Sequence, residues 1–82
     1  MYKVQIVAED ILEVETSEYS FLGTKRNYFY YNLKDKMHYS VGHKITDFNE
    51  MKKSKWYVPT SDESWEWLQK HYLPKLHGGL KK

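Results

Sequence analysis

The stretch Asn27-Tyr28-Phe29-Tyr30-Tyr31-Asn32-Leu33-Lys34-Asp35-Lys36-Met37-His38-Tyr39-Ser40-Val41 decides how this chain reads. Large apolar residues recur at every second position on either side of a polar turn segment, the pattern of a β-hairpin. Its register follows from parity, because a one-residue slip moves every side chain to the opposite face. A two-residue turn at Asp35-Lys36 sets Leu33 beside His38 and Tyr31 beside Ser40. A three-residue turn at Lys34-Asp35-Lys36 pairs Leu33 with Met37, Tyr31 with Tyr39 and Phe29 with Val41. The second choice makes one face wholly apolar or aromatic and is the expected register. It requires a left-handed backbone at Lys36 without glycine, at a cost of about 1 kcal/mol. The reverse face then carries Tyr28, Tyr30, Asn32, His38 and Ser40, a surface able to stack and to hydrogen-bond. With rings on both faces, the sheet is either covered twice or leaves its second side to a partner. The expectation is a partner.

Upstream, Tyr2, Val4, Ile6 and Ala8 alternate with Lys3, Gln5 and Glu9, and Leu12, Val14 and Thr16 alternate with Glu13 and Glu15. Two strands are expected, joined by a three-residue connection at Glu9-Asp10-Ile11, with Ala8 opposite Leu12, Ile6 opposite Val14 and Val4 opposite Thr16. The next apolar residues, Tyr19 and Phe21, are out of phase, so a bulge near Ser17-Glu18 is expected. Gly23-Thr24 marks a turn.

Downstream the period changes to that of helices. Asp47 and Glu50 have capping-box spacing, which predicts a short helix with Phe48 and Met51 inward and Lys52, Lys53 and Lys55 at its negative end. Lys55-Trp56-Tyr57-Val58 before Pro59 reads as an edge strand. Thr60 and Glu63 repeat the capping spacing before a stripe of Trp65, Leu68 and Tyr72, with Leu73 at its margin and Pro74 as the stop. Trp67 lies about 200° from Trp65 around that helix, one turn before His71. The expected fold is α+β: a small antiparallel sheet of three to five N-terminal strands with two C-terminal helices packed on one face. A single domain spans residues 1–76, and 77–82 read as a flexible tail.

The 82 residues leave no room for a second domain. Their 14 rings, eight of them Tyr, suit a small core that needs large side chains, and marginal stability or a homodimer is expected. No cysteine is present, which excludes disulfides, thiolate–zinc sites and thiol catalysis. No stretch has the length of a signal sequence's apolar core or of a transmembrane helix, so a cytoplasmic setting without membrane contact is expected. Charge is segregated: residues 1–24 carry a net −4 and residues 25–57 a net +5, within an overall +2. The acidic strands are expected either to neutralise the basic segment across the sheet or to leave it as a functional face.

No phosphate loop, nucleophile elbow or His-Glu-x-x-His pattern occurs, and Glu13 and Glu15 read as a solvated strand face. The spacings of His38 and His43, and of His71 and His77, match no metal motif. The chain is therefore expected to be a non-enzyme without cofactor or metal that binds a protein partner. Tyr28, Tyr30, Asn32, His38, Trp67 and His71 are the candidate contact residues, since Tyr and Trp combine large area with a polar handle. The alternative is a single-stranded nucleic-acid module in which the same tyrosines stack bases while Arg26, Lys34, Lys36, Lys52, Lys53 and Lys55 hold phosphates. Composition rich in Lys, Tyr, Asn and Ile suits a phage or mobile-element accessory protein or inhibitor.

Overall fold

A computed structural model describes residues 2–76; the expected tail at 77–82 lies outside the described residues. Five strands, β1 (Tyr2–Ala8), β2 (Ile11–Ser20), β3 (Gly23–Asn32), β4 (Met37–Val41) and β5 (Val58–Pro59), form one sheet in sequence order. All neighbours are antiparallel. Helix α1 (Phe48–Lys52) lies between β4 and β5, and α2 (Asp62–Trp67) follows β5. The chain is thus α+β, as the periodicities imply.

The helices divide between the two faces of the sheet instead of sharing one. Alternation explains this, because β2 and β3 are apolar on both sides. Leu12, Val14 and Tyr31 pack with Leu68 and Leu76 beneath α2, joined by Phe29, Trp65 and Tyr72. Ile11 and Tyr30 pack with Met51 on the α1 side, joined by Tyr39, Val41, Ile45 and Phe48. The expected open face is therefore roofed.

The hairpin of β3 and β4 closes through four residues, Leu33 to Lys36, which shifts its register by one from the expected pairing. Tyr30 stands opposite Tyr39, Tyr31 opposite His38 and Phe29 opposite Ser40. Asn32 sets this loop length. Its Oδ1 accepts from the backbone N–H groups of Lys34 at 2.9 Å and Asp35 at 2.8 Å, and its carbonyl accepts from Lys36 N at 2.9 Å. A side-chain acceptor that satisfies two turn amides stabilises the longer loop. Lys36 adopts φ 56°, the left-handed backbone anticipated for it.

The first hairpin keeps the expected faces as far as Ile6 but pairs Ile6 with Leu12 and Val4 with Val14, and the register shift between Ile6 and Ala8 carries Ala8 to the Ile11 side. No bulge occurs at Ser17-Glu18, since β2 and β3 pair without interruption from Ile11–Asn32 to Ser20–Gly23. Tyr19 and Phe21 follow the ribbon out past the helices, where no core imposes a phase. The turn at its end is Phe21-Leu22, and Gly23 at φ 130° supplies a backbone that L side chains rarely adopt.

Local signals place the helices well. Asp47 caps α1, its carboxylate accepting from Asn49 N and Glu50 N. Ser61, one residue after the expected cap, accepts from Ser64 N at 3.1 Å at the start of α2. Thr60 is held by the sheet instead, its N–H donating to Lys36 O at 2.7 Å. After Trp67 the helix widens into a π-helical stretch, Leu68–Tyr72, and ends in a 3-10 turn, Leu73–Lys75. Pro74 lacks an N–H and its ring crowds the preceding turn, which accounts for the loosened coil.

Candidate functional site

The six proposed contact residues do not form one surface. Tyr30 is fully buried, at 0% exposure, under α1. Its hydroxyl donates to Glu13 Oε2 at 2.7 Å and accepts from Ile45 N at 2.8 Å, while its ring meets Phe48 edge-on at 5.7 Å. Asn32 is buried too, and its amide nitrogen donates to Tyr57 Oη at 3.0 Å. Both residues hold the fold. The expectation that they face outward is overturned because the segment from Ile45 to Met51 covers that side.

His38 moves with the register to the α2 face, where it stacks on Tyr31 with centroids 6.0 Å apart. Its Nδ1 is buried with no hydrogen-bond partner among the described residues. Tyr28 is half-buried on the α1 side. Trp67 is 54% exposed and packs against His71 at 3.9 Å on the outer side of α2, across the sheet from Tyr28.

The basic residues are also dispersed. Arg26 pairs with Glu15 at 3.6 Å, and Lys25 stands opposite Glu18 in the register. Lys36 meets Asp62 at 3.9 Å and sits over the Trp65 ring at 5.3 Å. Lys34 and Lys52 line a cleft of about 370 Å³ together with Glu9, Asp10 and Asp35. Lys53 and Lys55 are exposed after α1, with the Lys55 ammonium 5.2 Å from the Trp56 ring. Acidic neighbours thus offset much of the central charge. A second cleft, of about 410 Å³, contains His43, Lys44, Asp47 and Glu50, but Asp47 is committed to capping α1. No group of three or more His, Asp or Glu is placed to hold a metal among the described residues. No helix among them is long and apolar enough to cross a membrane.

The apolar surface that stands out lies elsewhere. Beyond Thr16 and Asn27, β2 and β3 continue as a two-stranded arm without flanking strands among the described residues. At its end Phe21 is 98% exposed, Leu22 85% and Tyr19 73%. Ser20 braces the turn, its Oγ accepting from Leu22 N at 3.2 Å and donating to Gly23 O at 3.3 Å. The sequence reading explained Tyr19 and Phe21, out of phase with Thr16, by a bulge and did not single them out as a surface. The missed signal was Phe-Leu immediately before Gly, at positions where short hairpin turns normally carry polar residues. In comparisons with known proteins, the chain matches no family model, no curated protein and no solved structure.

Proposed function

We propose that this protein is a small non-enzymatic binding module whose β2–β3 arm inserts Phe21 and Leu22 into an apolar pocket of a protein partner, with Tyr19 at the rim. One observation carries the reading: the most exposed apolar side chains of the described residues occupy consecutive positions at the tip of a projecting ribbon. Solvated Phe and Leu add nothing to a turn, whereas full burial of each stabilises a complex by roughly 1.5–3 kcal/mol. Charge favours a protein over a polyanion. Arg26 pairs diagonally with Glu15 at the base of the arm and Lys25 stands opposite Glu18 within it, so its cations have acidic neighbours where a phosphate backbone would need them free. We also propose a cytoplasmic setting and, from composition, an accessory or inhibitor role.

The test is capture of partners from nuclease-treated lysate, followed by affinity measurement on the purified pair. A Phe21→Ser/Leu22→Ser variant should fold as the parent does and lose the partner. Phe21→Ala alone should cost about 2 kcal/mol or more, roughly 30-fold in Kd, if the ring is a hot spot. Affinity should change little between 50 and 200 mM salt. Equal capture by the double variant overturns the reading. So does steeply salt-dependent binding to a single-stranded oligonucleotide that is lost on removing Lys52, Lys53 and Lys55.

A further inference from the structure

The two edges of the sheet are built differently. At one edge, β5 has two residues, and one of them is Pro59, which has no N–H to offer a neighbour. A short strand carrying proline is a standard protection against edge-to-edge association. At the other edge, β1 runs for seven residues, Tyr2 to Ala8, without proline. Lys3 is its one charged residue, and the register shift between Ile6 and Ala8 interrupts only its far end. Ile6, opposite Leu12 on the α2 side, is 40% exposed although β2 is paired beside it.

We infer that two copies of this chain associate by antiparallel pairing of β1 with β1 across a two-fold axis at Gln5. The occupant is argued from self-complementarity. Gln5 is the midpoint of the strand, so this register engages Lys3 to Val7 of both copies and leaves out only the end at Ala8, beyond the irregularity. It sets Val4 opposite Ile6 of the second copy on the α2 side, extending the apolar layer of Leu12 and Val14 across the axis. On the α1 side the two Gln5 residues face each other, and each Lys3 meets Val7, so no like charges oppose. The isologous geometry closes at two copies, because the pairing uses the β1 edge of each. One strand edge buries less than the roughly 1,200 Å² of a stable interface, so the dimer dissociates in the micromolar range.

Sedimentation velocity on the full chain from about 1 to 500 µM tests this, alongside amide hydrogen exchange of β1 at both ends of the range. Expected are a monomer at the low end, a dimer at the high end, and slowed exchange of β1 amides only in the dimer. Ile6→Lys should raise the dissociation constant at least tenfold while the dilute protein melts as the parent does. Phe21→Ser/Leu22→Ser should dimerise normally, which separates this interface from the arm. A monomer throughout the range overturns the inference, as does dimerisation that survives Ile6→Lys or disappears with the arm variant.

Discussion

The Tyr30 hydroxyl donates to Glu13 Oε2 at 2.7 Å inside the sheet–α1 layer, where Glu13 is 2% exposed and takes a second bond from Gln5 Nε2, also at 2.7 Å. The same hydroxyl accepts from Ile45 N, so one oxygen ties the middle of β3 to β2 and to the segment that roofs it. Tyr30→Phe keeps the ring but strands a buried carboxylate oxygen and a backbone N–H. It should cost about 1–3 kcal/mol by chemical denaturation. In a double-mutant cycle with Glu13→Gln the two losses should be non-additive. A cost below about 0.5 kcal/mol would show that the hydroxyl does not anchor this layer.

Alkaline pH should loosen both layers. Burial, with a smaller contribution from Tyr72, pushes the Tyr31 phenol up to about 12. Burial also raises Tyr30, against the opposing bond from Ile45 N and with the aid of Glu13. A phenol raised in the folded state contributes stability that is intact below its unfolded pKa near 10 and is lost as pH climbs toward the folded value. Unfolding free energy should therefore fall between about pH 10 and 12, and Tyr31→Phe should flatten that slope. An unchanged slope in the variant would remove Tyr31 from the account.

The inner and outer sides of the C-terminal helical segment should respond unequally to truncation. Leu68 is fully buried against Leu12, Val14 and Tyr31, so Leu68→Ala should cost about 2–5 kcal/mol. Trp67 contacts His71 on the outer side, and Trp67→Ala should cost less than about 1 kcal/mol despite removing a larger side chain. Thermal melts of the pair rank them, and the reverse order would mean that the outer side is not the solvent side.

Backbone strain at Lys36 can be isolated from its contacts. Lys36→Ala and Lys36→Gly both lose the Asp62 and Trp65 interactions, but only glycine relieves the side-chain penalty at φ 56°. The glycine variant should be the more stable of the two by about 1 kcal/mol. Equal stabilities would mean that the turn relaxes around alanine.

Much of this architecture was legible in the residues alone because its signals are local. Asp47 reaches amides two and three positions away, and Trp65, Leu68 and Tyr72 share a stripe by helical geometry. The alternation from Val4 to Val14 requires only a strand's pleat. The demand for a left-handed Lys36 was likewise readable from the turn. The register of β3 on β4 was not, because either parity clothes one face in rings and the deciding group is the Asn32 side chain folded back on its own turn. Burial of Tyr30 was hidden for a related reason: nothing within β3 records which side a segment fifteen residues later will cover.

What the chain determined by itself was the inventory of strands, helices and caps, since those depend on contacts within a few residues. Only the tertiary structure decided that the two helices take opposite faces, that Tyr30 and Asn32 become internal struts, and that Tyr19, Phe21 and Leu22 are left on an uncovered arm. Side-chain burial is set by what packs across a sheet, and a sheet with two apolar faces does not announce which part of either will remain bare.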